Sequence, residues 1–327
     1  MNLLKTPILF LIFNRPDNTK KVFEAIALAK PEKLYIAADG PRPDKLEDES
    51  LCEETRKIID LIDWPCQHFT LFRNENLGAR YACTKAFDWF FEQEEEGIIL
   101  EDDCVPNKDF FGFCTTLLEK YRDDPRIMHI GGTNLQFGNK RGSASYYFSS
   151  IPAVWGWASW RRVWKNYDPE MAKFEKFEQE NQMINVFPNK RIADWVSVMA
   201  RMIYEKKVIA WDYPLAFYVG INNGLCIVPN VNLVTNIGFG NQSTHTKDSS
   251  HAHANIPTQI LENPLIHPKF FIPHKHADFY QLLLTIDDVK ANEVNKVKKT
   301  SRISTLQKIK SKLKHYLNKI FKIKYSI

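Results

Sequence analysis

Three consecutive carboxylates, Glu101-Asp102-Asp103, close a short apolar run, Gly97 to Leu100, and are followed by Cys104-Val105-Pro106 and a helix-like stretch. A short apolar run of this kind reads as a buried parallel strand, and acids at its carboxyl end lie where open α/β sheets bind their ligands. Adjacent carboxylates repel one another, so the cluster calls for a compensating cation. A hard divalent ion, Mg²⁺ or Mn²⁺, takes one or two carboxylates plus substrate phosphate oxygens and is the natural candidate. The chemistry this suggests is metal-assisted handling of a nucleoside diphosphate. The competing reading is an acidic loop that favours the next helix through its dipole.

Other polar residues fall at matching places. The first strand ends at Asn14-Arg15-Pro16-Asp17, the second at Asp39-Gly40 and the third at Arg73-Asn74. Carboxylates at such ends accept from ribose or base, and an Arg pairs with phosphate. Asn76 and Arg80 flank Gly78, which is either a plain turn before a helix or part of a surface that faces nucleotide or sugar. Asp212, in Trp211-Asp212-Tyr213 after the apolar run 208–210, could deprotonate an acceptor hydroxyl or could simply favour the start of the following helix. Asp194 competes for the role of base. His245, in Thr244-His245-Thr246 within a polar loop, is a candidate for metal ligation or for donation to a phosphate.

These residues need a frame that gathers strand ends on one edge, and the first 131 residues supply it by alternating as βα units. Strands are expected at 7–13, 33–38, 68–72, 98–100 and 126–130, with helices at 16–28, 46–62, 78–91 and 108–121; Pro16 suits a first helical turn. The remainder is less regular: an aromatic cluster at 154–160, a helix at 190–204, a strand at 208–211, a helix at 213–221 and a strand at 225–228. A Gly-, Asn- and Thr-rich loop follows at 235–255. The expected architecture is an α/β, doubly wound, mostly parallel sheet flanked by helices, with a nucleotide-binding half at 1–131 and an acceptor half at 132–255 on one continuous sheet. A C-terminal extension at 256–290 and a basic amphipathic tail at 291–327 complete the chain.

Composition narrows the function classes. The six cysteines have no C-x-x-C pair and read as reduced thiols rather than a zinc site. The apolar run near the amino terminus is too short to span a membrane and has no cleavage site, so no secretory signal is expected. The net charge of +5 conceals an asymmetry: residues 296–327 hold eleven Lys and Arg and no acid, while the rest carries 33 basic and 39 acidic residues. An acidic body argues against a nucleic-acid-binding core. From Ile303, the apolar Leu306, Ile309, Leu313, Leu317 and Ile320 recur every three or four positions between Lys308, Lys310, Lys312, Lys314 and Lys319. That is the spacing of a cationic amphipathic helix on an anionic membrane surface, and the expected location is cytoplasmic, peripheral on the cytoplasmic membrane face. A solvated tail or a helix packed on the body is the alternative.

Taken in order, these residues resemble a GT-A glycosyltransferase. The resemblance is to bacterial nucleotide-diphospho-sugar transferases described as haemolytic-protein-like and, more distantly, to eukaryotic α-mannosyl-glycoprotein N-acetylglucosaminyltransferases. In the latter, too, a strand ends in Glu-Asp-Asp with Asp-Phe-Phe behind it, here Asp109-Phe110-Phe111. Their Asp-Arg at the first strand end resembles Asn14-Arg15, their second-strand Asp resembles Asp39, and their Gly-Trp element resembles Gly156-Trp157. Their Trp-Asp, which carries the catalytic base, resembles Trp211-Asp212. A Phe-Gly leading to a donor-covering Ser-His resembles Phe239-Gly240 and Thr244-His245. The likeness covers about residues 7–250, with two departures: Asn14 stands for an acid, and Tyr213 for a second Asp.

The resemblance implies an inverting transfer from a nucleotide-sugar donor, dependent on Mn²⁺ or Mg²⁺. Asp103 would bind the metal, Glu101 and Asp102 would contact ribose and donor sugar, and Asp212 would be the base. Arg15, Asp39, Asn76 and Arg80 are assigned to the donor, as are Trp211, Thr244 and His245; Trp155 and Trp157 are assigned to the acceptor. The acceptor is expected to be a glycan or lipid-linked glycan, such as a bacterial surface polysaccharide precursor, with no nucleic-acid partner. Two rivals use the same fold. A sugar-nucleotide nucleotidyltransferase should show a Gly-rich phosphate loop after the first strand, and Phe13-Asn14-Arg15-Pro16 has no Gly; the same lack disfavours a dinucleotide enzyme. A non-catalytic sugar-binding or assembly protein would not need the acid triplet.

Overall fold

The computed structural model describes residues 3–239 and 252–300 of the 327-residue chain. Continuous apolar runs make its central strands. β1 (Ile8–Ile12) is buried at all five positions and β2 (Lys33–Ala38) at five of six, which is what a parallel strand covered on both faces requires. Between them α1 (Pro16–Ala29) starts with Pro in its first turn and ends at Lys30, whose φ is 50°. α2 (Leu46–Arg56) and a 3-10 turn (Lys57–Leu61) lead to β3 (Gln67–Phe72), then α3 (Gly78–Gln93) and β4 (Glu96–Glu101). After the acids come β5 (Cys104–Pro106) and α4 (Lys108–Lys120), whose cap Asn107 accepts from the N–H groups of Asp109 and Phe110.

The second half holds β6 (Ile127–Gly131), β7 (Tyr146–Ser149), β8 (Trp157–Trp160), α5 (Arg161–Trp164), α6 (Phe174–Gln179) and α7 (Met183–Val186). α8 (Lys190–Tyr204), α9 (Asp212–Ile221), β9 (Leu225–Pro229), β10 (Val234–Asn236) and α10 (Lys275–Thr300) follow. Eight strands form one sheet in the order β3-β2-β1-β4-β8-β6-β9-β7. β3, β2, β1 and β4 run parallel, β8 is antiparallel to both β4 and β6, β9 is parallel to β6, and β7 is antiparallel to β9. The expected doubly wound, mostly parallel sheet flanked by helices is therefore the architecture observed. The two halves share that sheet, joined where β4 meets β8.

One local expectation fails, and one strand pairing departs from chain order. Residues 208–211 are not a strand. Ile209 is about half exposed, and the N–H groups of Lys207 and Val208 turn back to Met202 O at 2.8 and 3.2 Å, so the segment closes α8 instead of pairing. β6 does not extend the first half beside β4. The aromatic strand β8, buried at all four positions, is inserted between them. The extension at 256–274 folds back over both halves: Leu261 N–H reaches Asp109 at 3.0 Å, Ile266 N–H reaches Ser145 at 2.8 Å, and His274 N–H reaches Phe148 O at 2.7 Å.

Candidate active site

Parallel pairing of β2, β1 and β4 places Asp39, Arg15 and the acid triplet along one sheet edge. Arg15 is the hub. Its Nη2 and Nε pair with Asp102, the latter at 3.4 Å, and its Nη1 pairs with Asp103 Oδ2 at 2.9 Å. Burial opposes the Arg15 charge, but the two carboxylates more than offset it and hold the guanidinium firmly protonated. Loss of water pushes Glu101 up from the usual carboxylate range, and the Asp103 and Asp102 charges push it further; Arg15 opposes and Asp212 adds. Asp102 is likewise raised by burial, with Arg15 opposing and Asp103 adding. One guanidinium thus stands among three acids at the strand ends, of which Glu101 is pushed towards its neutral form.

Asp103 gains its lid from a second, two-stranded sheet. β5 continues from the triplet and pairs antiparallel with β10, matching Cys104 with Asn236. That register brings the N–H of Ile237 to Asp103 O at 2.8 Å and lays Gly238 on the carboxylate, where a Cβ would stand 2.1 Å from Asp103 Oδ2. Asn236 fixes the turn by accepting from Gly238 N–H at 2.8 Å. The next residue, Phe239, meets Trp155 edge-on, with ring centroids 5.7 Å apart. Half-buried Trp155 therefore flanks the segment that leads into the polar loop. Thr244 and His245 lie outside the described residues.

Asp212 opens α9, on a separate segment from the metal candidates, yet near enough for its charge to raise Glu101. Its rival Asp194 pairs with Lys190 at 2.9 Å on α8, facing a different cleft of about 650 Å³ that is also lined by Glu178 and Arg201. Of these two carboxylates, Asp194 is held on α8 by its Lys190 ion pair, and Asp212 is the one whose charge bears on Glu101.

Other expected contacts turn inward. Asp39 accepts the N–H groups of Leu77 and Gly78 at 3.0–3.1 Å, tying β2 to the start of α3. Asn76 donates to Gly40 O at 2.8 Å, where the chains approach so closely that a Cβ on Gly40 would lie 2.4 Å from Glu75. Both side chains help to fix the edge. Arg80 is buried and reaches the 167–170 segment, donating to Pro169 O and standing 3.5 Å from Glu170. Trp157, expected at the acceptor, is a core residue at 1% exposure. It stacks between His129 (5.3 Å) and Trp211 (5.7 Å), with Phe87 edge-on. Trp211, expected at the donor, is buried in the same stack, because β8 carries its rings into the sheet's covered faces.

Sequence reasoning missed three contributors. Asp48, fully buried, accepts from Arg42 at 2.6 and 2.9 Å and from Asn14 at 2.7 Å. A carboxylate at position 14 would face Asp48, which accounts for the amide there. Arg56 binds Asp39 O at 3.1 Å and Arg73 O, clamping the ends of β2 and β3. Gly238 had no signal beyond a Gly in a polar stretch.

As to a metal, no group of three or more His, Cys, Asp and Glu among the described residues is arranged to hold one. An all-protein cage does not fit. The residues that could hold a divalent ion, completed by phosphate and water oxygens, are Asp103 beneath Gly238 and Asp102 beside it.

No protein-family model matches the chain, and no curated protein matches it. Among solved structures, part of the chain is similar to a mannosyltransferase from Pyrobaculum calidifontis in complex with GDP-mannose and Mn²⁺. That likeness has TM-score 0.34 and 10% identity, covering 49% of this chain and 46% of that one. A glycosyltransferase of Streptococcus pneumoniae gives TM-score 0.36 and 13% identity over 69% of this chain and 45% of its own. An inositol-1-phosphate CTP transferase from T. maritima gives 0.31 and 7%, over 50% and 74%. The chain spans about half the length of the first two. Likenesses this remote say nothing of the reaction, which has to be read from the site.

Proposed function

We propose that the protein is a glycosyltransferase that moves a sugar from a nucleoside-diphosphate donor to a hydroxyl of a glycan acceptor. The observation that supports this best is the Arg15–Asp102–Asp103 cluster at the strand ends, held by ion pairs and covered by Gly238. Asp103, with Asp102 beside it, would hold Mn²⁺ or Mg²⁺, which when bound neutralises the departing diphosphate. Arg15 lies where a phosphate oxygen can take over a hydrogen bond now made to Asp103. Glu101 and Asp102 offer acceptors to sugar and ribose hydroxyls. Asp212 takes the acceptor proton while the acceptor oxygen bonds to the sugar carbon. The bond from that carbon to the phosphate oxygen breaks, and its electron pair leaves with the nucleoside diphosphate. A single displacement of this kind inverts the sugar carbon and needs no protein nucleophile.

The test is a panel of UDP-, GDP-, ADP- and dTDP-sugars, with and without Mn²⁺. Release of a nucleoside diphosphate from at least one donor, only with metal, is expected. Pyrophosphate release from a nucleoside triphosphate and a sugar phosphate would assign the site to a nucleotidyltransferase instead.

A further inference from the structure

Asp212 also lines a cavity of about 220 Å³ between α7, α8, α9 and α10. Asp212 is the one charged side chain in its lining, which otherwise includes Phe187, Trp195, Ala216, Phe217 and Leu282. Of the other polar groups in the wall, Ser150 Oγ accepts from Lys275 Nζ at 2.9 Å and Thr285 Oγ1 donates to Gln281 O at 3.1 Å, while Trp195, Tyr213 and Gln281 add an indole N–H, a hydroxyl and an amide to a lining that is otherwise apolar. A sugar ring placed there would bury hydroxyls with few partners, at a cost for each. An alkyl or isoprenoid chain would meet matching apolar surface.

We propose that this cavity receives the apolar chain of a lipid-linked acceptor, with the acceptor's sugar hydroxyl at Asp212. The inference rests on the transferase reading, since Asp212 as base is what makes the cavity the acceptor's. A second observation points to the same occupant. α10, which forms one wall through Gln281, Leu282 and Thr285, runs on into a segment (296–327) with eleven basic residues and no acid. Such a segment complements the phosphates of an anionic lipid surface, from which a lipid-linked acceptor would be presented. The cavity would thus select acceptors by their aglycone, and the acid cluster would select the donor.

The test uses n-octyl β-D-glucoside below its micelle concentration, with methyl β-D-glucoside as control, on the full chain. Calorimetry should show saturable octyl glucoside binding at least about tenfold tighter than that of the methyl compound, with a shift in tryptophan emission. Trp195→Phe, which leaves the cavity apolar and slightly larger, should abolish most of the emission shift and keep the heat signal. Ala216→Phe and Gly220→Leu fill the cavity from one face of α9; a Cβ on Gly220 meets only Val186, at 3.5 Å. Each variant that retains the wild-type circular dichroism should lose octyl glucoside binding by at least about tenfold.

Equal affinity for the two glucosides, or an emission shift that survives Trp195→Phe, would overturn the proposal, as would undiminished binding in a folded filling variant. If octyl glucoside binds only after residues 301–327 are deleted, the occupant is the chain's own tail and the proposal also falls. Octyl glucoside binding by a protein that binds no nucleotide with or without Mn²⁺ would instead sink the transferase reading, and the acceptor assignment with it.

Discussion

Arg15 holds two carboxylates that would otherwise repel each other, and Asp103 is the more exposed of the two, at 15% against 4% for Asp102. Asp103→Ala should abolish Mn²⁺-dependent nucleotide binding and leave the fold intact. Were Asp103 only a charge near a helix start, its loss would cost about 0.3–1 kcal/mol of stability and no binding. Asp212→Asn should lower kcat by about 10²–10⁴-fold with donor affinity nearly unchanged, while Asp194→Asn should do little. Steady-state kinetics on both variants separates the two carboxylates, and a large loss in Asp194→Asn alone would reverse the assignment. His129 gives a prediction about stability. Neither ring nitrogen has a hydrogen-bond partner among the described residues, and burial pushes its pKa down to about 3 from 6.5. Between those values the unfolded chain binds the proton and the folded one does not. Stability therefore rises with pH through that window and is lost as pH falls below 6.5, by up to about 1.4 kcal/mol per unit. His129→Phe keeps the stack on Trp157 and should flatten the urea-unfolding free energy between pH 4 and 6.5; an unchanged slope would show that His129 is not the group responsible.

Elements with a strong period or a continuous apolar run were legible in the amino-acid order. β1, β2 and β4 are buried on both faces, so their unbroken Ile, Leu and Ala runs announce a parallel sheet, and Pro16 marks where α1 begins. The same logic placed Arg15, Asp39 and the acid triplet at one edge. It could not place β8, because a Trp reads alike whether it lines a sugar site or fills a core; Trp157 and Trp211 do the latter. Nor could it find the β5–β10 pair, two three-residue strands about 130 residues apart whose only cue is tertiary. The 208–211 run failed because three apolar residues closing a helix look like a short strand. The β5–β10 pair is nonetheless what sets Gly238 on Asp103. Gly238→Ala should displace that carboxylate and weaken metal-dependent nucleotide binding at least about tenfold, equivalent to about 1.4 kcal/mol, with little change in melting temperature. Wild-type binding in Gly238→Ala would mean that the segment after β10 does not constrain the site.

At the scale of the molecule, an acidic body is joined through α10 to a basic segment. No helix among the described residues is long and apolar enough to cross a membrane. The amphipathic pattern expected at 291–327 falls mostly outside the described residues, so the membrane-surface role remains a proposal. Each Lys near an anionic surface contributes about 1 kcal/mol, falling off within a Debye length. Deleting 296–327 should therefore abolish salt-sensitive binding to phosphatidylserine-containing vesicles and spare hydrolysis of a soluble donor; equal vesicle binding by both forms would leave the segment without that role. The central claim, that the strand-end acids form a metal-assisted nucleotide-sugar site, is tested most directly by calorimetric titration of UDP, GDP, ADP and dTDP into wild type and Asp103→Ala, with and without Mn²⁺. The account predicts that at least one nucleotide binds wild type only when Mn²⁺ is present and does not bind a folded Asp103→Ala. Nucleotide binding that is indifferent to Mn²⁺ and survives Asp103→Ala would contradict it.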